Sequence, residues 1–320
     1  MPTQRLWNEP IEVSRIALGC MGLAGTWKPE EVGPQHVKKA IAAFEAALEA
    51  GITLFDHADI YGWGASESVF AQCLKSVRGS REQIFIATKF GIRKGQYFDH
   101  SPGHIRDAIR GSLDRMGIDF VDLYQVHRPD PLAHPAQTAE TLDALVEDGL
   151  IKQIGVSNYS PQQLLALKRY LSAPIVSNQV QISLLHLDSI YEGALGGPAV
   201  ETWGDGVLDQ CIELNLTPMA WSPLGGGWLT GRKDPPADHP KREHIDRVMT
   251  ALREMGKSYD GATPTQLAIA WLLAHPAKII PIVGSNHPAH IREAAAAAEV
   301  QISRTDWYKL WVAGRGEEVP

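Results

Sequence analysis

Four residues have side chains that together could protonate a carbonyl oxygen: Asp56, Tyr61, Lys89 and His127. Tyrosine has an unperturbed pKa of about 10, so it is a weak acid at neutral pH unless its phenolate is stabilised. An ammonium group such as Lys89 stabilises the phenolate, and a carboxylate such as Asp56 keeps that ammonium charged and in place. His127 could then hold the carbonyl oxygen. No serine or cysteine stands out with a base of its own, so we expect an external species, such as a nicotinamide hydride, to attack the carbonyl carbon.

Taken singly, each of the four residues also has an ordinary structural explanation. An aspartate after a strand often caps a turn, and a tyrosine before glycine often packs within one. A lysine or histidine at a strand end is usually solvated or hydrogen-bonded. The functional assignment therefore depends on whether the fold brings the four side chains to one place.

The elements that carry these residues alternate regularly. Short β-branched segments alternate with longer amphipathic segments from residue 15 onward, which predicts parallel βαβ units. Eight such strands favour an α/β fold, a closed (β/α)8 TIM barrel forming one domain over residues 1–320 with long loops at its C-terminal face; an open doubly wound sheet is the alternative. Barrel enzymes carry their chemistry where the strands end, so we expect the four side chains on one rim. The predicted strands are 15–19, 53–55, 84–88, 120–126, 151–156, 175–179, 216–221 and 279–283.

Charge and cysteine content argue against several function classes. The chain has 320 residues, and its 30 basic and 37 acidic side chains give a formal net charge of −7, which argues against nucleic acid or anionic membranes as partners. Three well-separated cysteines form neither a disulfide framework nor a zinc motif. With no signal-peptide core and no apolar segment of about 20 residues, we expect a soluble cytoplasmic protein. Its oligomeric state is not predicted.

A site for one phosphate is predicted after the last strand. The segment 284–286 precedes a predicted helix, so free backbone N–H groups and the helix dipole could meet an anion there. His290 and Arg292 add positive charge. The alternative is that Asn286 only caps the helix. Trp221, at the end of the seventh strand, offers a flat face on which a nicotinamide ring could stack.

Motifs at the predicted strand ends carry a family resemblance across nearly the whole chain. They are 55–62 (FDHADIYG) followed by Ser66-Glu67, 87–89 (ATK), 122–130 (DLYQVHRPD), 155–159 (GVSNY), 178–180 (NQV), 220–225 (AWSPLG) and 280–293. In this order they resemble the aldo-keto reductase family, and within it a bacterial oxidoreductase subgroup.

The resemblance implies an NAD(P)H-dependent oxidoreductase that reduces small aldehydes or ketones to alcohols by hydride transfer. It implies that Tyr61 donates the proton, that Lys89 lowers the pKa of Tyr61, that Asp56 anchors Lys89 and that His127 orients the carbonyl. It implies no metal. The cofactor it implies is NADP(H), bound by Met21, Gly22, Asp56, Ser157, Asn158, Gln179, Trp221, Ser222, Pro223, Leu224, Gly225, Gly284, Ser285, Asn286, His290, Arg292 and Glu293.

Some positions depart from the family pattern. Trp221 stands where many relatives have tyrosine. His290 and Ala294 stand where arginine and asparagine are usual near the 2′-phosphate, although Arg292 could compensate. NAD(H) therefore stays an alternative to NADP(H). His57 replaces a small residue and is interpreted as structural.

Two other functions stay open. One is an NADPH-binding redox sensor with slow turnover, and the other is a metal-dependent barrel hydrolase using His57, Asp59 and His127. The substrate is not predicted beyond a carbonyl compound. We expect the loops 22–33, 91–101, 128–135 and 185–206 to shape its pocket, and their aromatic residues favour a hydrophobic compound. Those residues are Trp27, Tyr97, Tyr191 and Trp203.

Overall fold

A small hairpin precedes a closed barrel in a computed structural model of the chain, which describes residues 1–6, 12–93, 95–190 and 206–318. The hairpin strands β1 (Thr3–Arg5) and β2 (Glu12–Ser14) pair antiparallel. The barrel strands are β3 (Ala17–Gly19), β4 (Leu54–Asp56), β5 (Phe85–Phe90), β6 (Val121–Val126), β7 (Ile151–Ser157), β8 (Ile175–Gln181), β9 (Thr217–Trp221) and β10 (Ile280–Val283). Each pairs in parallel with its neighbours, and β10 closes the barrel between β9 and β3. The predicted TIM barrel is confirmed, and the open sheet is excluded.

Helices connect the barrel strands and pack against them. They are α1 (Pro34–Glu49), α2 (Ala65–Ser76), α3 (Pro102–Met116), α4 (Pro135–Glu147), α5 (Pro161–Lys168), α6 (Val207–Glu213), α7 (Arg242–Gly256), α8 (Pro264–Leu273), α9 (Pro288–Ala296) and α10 (Arg304–Arg315). α3 shows why such boundaries are readable: Ser101 caps its first turn, and Gly117 ends it at φ 67°, a left-handed conformation that favours glycine. No helix within the described ranges is long and apolar enough to cross a membrane.

The structure differs from the predicted elements in three ways. The sequence does not predict the β1–β2 hairpin, because strands of three residues are too short to show a hydrophobic period. β5 and β8 each extend two residues past their predicted C-terminal ends, because these residues continue the parallel ladders. Lys89 therefore lies within β5 rather than just after it. Finally, the sequence predicts a helix from Pro161 to Leu171, whereas α5 ends at Lys168.

The barrel interior has an apolar floor below a polar upper part. Leu6 and Val13 of the hairpin segment pack with Leu54, Phe85 and Ile280 at the start of barrel strands, so the hairpin closes the N-terminal end. Buried polar side chains lie near the other end of the strands; they include Asp56, Lys89, Gln125 and Gln179. The functional side chains thus stand on a closed, packed base at the C-terminal face.

Candidate active site

The centre of the site is the ammonium group of Lys89. Its Nζ lies 2.7 Å and 2.8 Å from the two carboxylate oxygens of Asp56, and it donates to the backbone oxygen of His57 at 2.7 Å. It also donates to the hydroxyl of Tyr61 at 3.2 Å. An ammonium group has three N–H donors, so these contacts account for all of them. The structure therefore brings Asp56, Tyr61 and Lys89 together.

The barrel register positions these three side chains. Asp56 ends β4 and pairs with Ala87 on β5, so Lys89 lies two residues further along the same face of the neighbouring strand. Tyr61 follows in a short turn whose next residue, Gly62, has φ 57°. From across the barrel, Gln179 on β8 donates to Asp56 Oδ1 at 2.8 Å. Asp56 is thus held by partners on both sides.

His127 follows β6 and completes the predicted quartet. Its ring centroid lies 6.0 Å from that of Tyr61, with the ring planes 84° apart. Its backbone N–H donates to Phe90 on the adjacent strand at 2.9 Å, which fixes its position. Burial, together with the charges of Lys89 and Arg128, lowers the pKa of His127 to about 2. The imidazole is therefore neutral at physiological pH and can offer a hydrogen bond to a carbonyl oxygen without adding charge.

The pKa values of Tyr61 and Lys89 are both raised. Burial raises the pKa of Tyr61, and the nearby Lys89 charge offsets part of that rise. Burial lowers the pKa of Lys89, but the contacts with Asp56 and Tyr61 outweigh it, so Lys89 stays charged. Lys89 acts on the pKa of Tyr61 in the predicted direction, but burial outweighs it and the pKa is raised. The sequence does not show how deeply the phenol is buried. Tyr61 is thus protonated at neutral pH and able to donate.

A second network joins four of the predicted cofactor residues. Trp221 Nε1 donates to Asn158 Oδ1 at 3.0 Å, and Asn158 Nδ2 donates to Ser157 Oγ at 2.8 Å. Ser157 Oγ in turn donates to the backbone oxygen of Gln179 at 2.9 Å. The chain of contacts runs across the ends of β7, β8 and β9 and fixes the orientation of the Trp221 ring.

A cavity of about 850 Å³ connects these groups with the loops after β9 and β10. Many of the predicted site residues line it: Met21, Asp56, Tyr61, His127, Ser157, Asn158, Gln179, Trp221, Ser222, Pro223, Leu224, Gly284, Ser285 and His290. Lys89 lies directly behind Tyr61 and Asp56. The structure therefore brings most of the predicted residues to one cavity at the expected end of the barrel.

Five of the predicted cofactor residues lie outside the cavity lining. Gly22 accepts a hydrogen bond from the Asn286 side chain, so these two contact each other. Gly225 accommodates Leu185, because an added Cβ would lie 2.6 Å from that side chain. Arg292 and Glu293 form the contacts described next.

Arg292 points away from the cavity and pairs with Glu49 on α1 at 2.7 Å. Glu293 contacts the guanidinium of Arg232 and accepts from Thr263 Oγ1 at 2.7 Å. Arg232 and Lys233 themselves line the cavity, although the sequence does not single them out. The signal that could have found them is a basic pair directly after the glycine-rich segment 225–231, in a loop that follows a barrel strand.

The cavity suits an extended nicotinamide dinucleotide. At Gly226 and Gly284 an added Cβ would meet no atom within 4 Å, so the backbone there borders open space. One end of the cavity offers the face of Trp221 and the amide groups of neighbouring residues, and the other offers the basic side chains of Arg232 and Lys233. An aromatic face and amides match a nicotinamide, and basic groups match phosphate.

The profile of the Aldo/keto reductase family matches residues 15–311 of the chain. The chain belongs to this family. It is 38% identical to a 6-dehydroglucose reductase of Novosphingobium aromaticivorans, over 99% of this chain and 97% of that protein. It is 37% identical to a 6-dehydroglucose reductase of Agrobacterium fabrum, over 98% of each chain.

A solved structure agrees with this assignment. The crystal structure of a thermostable aldo-keto reductase in complex with the inhibitor epalrestat superposes with a TM-score of 0.80 and 26% identity, covering 98% of this chain and all of that one. The protein is therefore an oxidoreductase of a family that uses nicotinamide cofactors and small carbonyl substrates.

The residues named for a rival metal-dependent hydrolase form no ligand set in this aldo-keto reductase. Within the described ranges, no three His, Cys, Asp or Glu side chains are grouped as metal ligands. His57 is buried with its ring 4.3 Å from that of Phe70, and neither ring nitrogen has a partner in the described structure. This placement supports a structural role for His57.

The aromatic loop residues predicted to shape the pocket differ in their placement. Trp27 lines the cavity, whereas Tyr97 is 58% exposed and does not. The predicted pocket residues Tyr191 and Trp203, with most of the loop 185–206, lie outside the described residues.

Proposed function

We propose that this aldo-keto reductase reduces aldehydes or ketones with NADPH and that Tyr61 donates the proton. The observation that carries the proposal is the buried Lys89 ammonium, which contacts the Asp56 carboxylate and the Tyr61 hydroxyl at once. That arrangement supports proton donation, because a phenolate formed at Tyr61 would stand beside a positive charge that is itself held in place.

The residues would divide the work as follows. His127 holds the carbonyl oxygen of the substrate near the Tyr61 hydroxyl. Tyr61 gives its proton to that oxygen as negative charge develops there, and Lys89 stabilises the resulting phenolate. Asp56 keeps Lys89 charged and oriented throughout. Such proton donation typically contributes about 10²–10⁴-fold in rate. The bound nicotinamide cofactor supplies the hydride.

Two groups of residues would hold the cofactor. The connected side chains of Ser157, Asn158 and Gln179 would bind the carboxamide, and the ring would stack on Trp221. At the far end, Arg232, Lys233, Ser285 and His290 would bind phosphate groups together with the backbone around Gly284. We infer a preference for NADPH over NADH, because the basic side chains of Arg232 and Lys233 would engage a 2′-phosphate as well as the pyrophosphate.

The names of the two similar reductases suggest a sugar-derived aldehyde as substrate. A hydroxylated aldehyde differs from the hydrophobic compound favoured by the aromatic loop residues. The aromatic side chain of Trp27 is compatible with both, since an aromatic face also packs against the C–H face of a sugar.

The experiment is a cofactor titration followed by reduction. NADPH and NADH are titrated against the protein by fluorescence, and oxidation of the cofactor is then followed with glyceraldehyde, propanal and other carbonyl compounds. We expect tighter binding of NADPH and repeated turnover with at least one aldehyde. A single slow turnover would instead favour a redox sensor. Absence of binding by both cofactors would contradict the proposal.

A further inference from the structure

Arg128 occupies the substrate end of the cavity. It directly follows His127 in the loop between β6 and α4, and it lines the same cavity as Tyr61 and Trp221. Its guanidinium carbon lies 5.9 Å from the centre of the Trp221 ring. The side chain is thus placed in the same cavity as the groups that would hold the carbonyl, beside the ring of Trp221.

The backbone of Arg128 is fixed. The ring nitrogen Nε2 of His100 lies 2.9 Å from the Arg128 backbone oxygen. The backbone N–H of His100 donates to Asp130 Oδ2 at 3.2 Å. The loop is therefore tied at Arg128 and two residues beyond it, so the Arg128 side chain starts from a defined point.

The Arg128 guanidinium differs from the other cations of the cavity because it forms no hydrogen bond or ion pair with any of the described residues. Lys89 is paired with Asp56, and Arg232 is paired with Glu293. Lys233 donates to the backbone oxygen of Gly226 at 3.0 Å. A guanidinium has five N–H donors in a planar fork, so donors of Arg128 are left for a molecule in the cavity.

The walls around this end of the cavity are mostly apolar. Met21, Trp27, Ile60 and Ile92 are among the residues that line the cavity, and none of these four side chains carries a charge. Tyr61 and His127 are engaged with the carbonyl oxygen in the proposed reaction. Arg128 is consequently the charged donor available to oxygen atoms next to the reacting carbonyl.

We propose that Arg128 is a specificity residue that binds hydroxyl groups next to the substrate carbonyl, so that the enzyme prefers polyhydroxylated aldehydes. The proposal rests on the proposed carbonyl reduction. Vicinal hydroxyl oxygens match the guanidinium fork, and the C–H groups of a sugar chain can pack on Trp27. A carboxylate also matches the guanidinium fork and is the alternative ligand that the test distinguishes from hydroxyl groups.

The test compares two pairs of substrates of equal chain length. Glyceraldehyde and propanal differ by two hydroxyl groups, and succinic semialdehyde and butanal differ by a carboxylate in place of a methyl group. We expect a higher kcat/KM for glyceraldehyde than for propanal. Arg128→Met should lower this ratio about tenfold, since hydrogen bonds from a charged donor are lost. Arg128→Lys should restore part of it, because the charge remains without the fork.

Arg110→Met is the matched control, because Arg110 is exposed on α3, away from the cavity. An unchanged glyceraldehyde-to-propanal ratio in both Arg128 variants would overturn the proposal. So would a fall confined to the ratio of succinic semialdehyde to butanal, which would identify a carboxylate as the group bound. If the wild type reduced none of the four compounds, the proposed function itself would fail. Reduction of all four compounds, with a glyceraldehyde-to-propanal ratio that the Arg128 variants leave unchanged, would contradict only the role of Arg128.

Discussion

The two ends of the cavity hold their charges in different ways. At the catalytic end, Lys89 and Asp56 are almost fully buried and satisfy each other. At the end proposed to bind phosphate, called the phosphate end below, Arg232 and Glu293 remain 33% and 21% exposed. They lie on a loop and a helix that follow different strands. The barrel register fixes the first pair, whereas loop conformation fixes the second. The comparison shows that one fold can combine a buried ion pair fixed by strand register with a more exposed ion pair fixed by loop packing.

This difference sets the scale of substitution effects. Removing one partner of a buried pair leaves an uncompensated charge and typically costs about 3–5 kcal/mol. An exposed pair is worth only about 0–1 kcal/mol. Changes at the catalytic end should therefore be severe, and changes at the phosphate end should be graded.

The largest effect is expected from Tyr61→Phe. The variant keeps the ring that packs beside His127 and removes the proton that the carbonyl oxygen would receive. We expect kcat/KM for aldehyde reduction to fall about 10²–10⁴-fold, with NADPH binding and melting temperature close to those of the wild type. Tyr97→Phe is the matched control, because Tyr97 is exposed. Near-normal reduction by Tyr61→Phe would disprove the role of Tyr61.

The buried end should also make the fold sensitive to acid. Burial and the Lys89 charge lower the pKa of His57 from 6.5 to about 3. Between these values the unfolded chain binds a proton that the folded chain does not. The contribution of His57 to the free energy of unfolding is complete above pH 6.5. It is lost as the pH falls below that value, by at most about 1.4 kcal/mol per pH unit.

His57→Leu should weaken this dependence. Denaturant unfolding at pH 7, 6 and 5 should show a smaller loss of unfolding free energy in the variant than in the wild type. His134→Asn is the control, because His134 is exposed and caps α4, and asparagine can keep the cap. Equal slopes for the wild type and His57→Leu would contradict the assigned pKa.

The clustering of the proposed catalytic residues can be predicted from the sequence because these residues lie at or near strand ends. Asp56, Lys89 and His127 come from three neighbouring strands, and once eight parallel strands are recognised their proximity follows from the barrel. The same holds for Ser157 and Gln179, which end or nearly end their strands.

The phosphate end is less predictable because it depends on how loops pack. The sequence places Arg292 near the phosphate by its position in the last motif, but the helix turns that side chain toward Glu49. It does not single out Arg232, because the basic pair after the glycine-rich segment shows that it borders the cavity only once the loop is folded. The hairpin floor is missed for a related reason: Leu6 and Val13 gain their role only from distant strands.

The smallest effects should come from the phosphate end, where Arg232→Met is the test. Replacing this guanidinium removes one positive charge from the cavity and leaves the Glu293 carboxylate without its partner. We expect the affinity for NADPH to fall about fivefold, in line with about 1 kcal/mol for a partly exposed pair. The affinity for NADH should change less, because NADH carries no 2′-phosphate. The measurement is the ratio of the two dissociation constants from fluorescence titration.

Arg292→Met tests whether Arg292 contributes to NADPH binding, as its position in the last motif predicts, or not, as the direction of its side chain predicts. Both variants lose one positive charge, so a general effect of net charge should weaken NADPH binding equally in both. The direction of the Arg292 side chain predicts a smaller change in the NADPH-to-NADH ratio than in Arg232→Met, because its charge is already engaged by Glu49 outside the cavity. A larger change in Arg292→Met would mean that this side chain turns inward to the phosphate when cofactor binds, and that the phosphate end rearranges while the catalytic end does not.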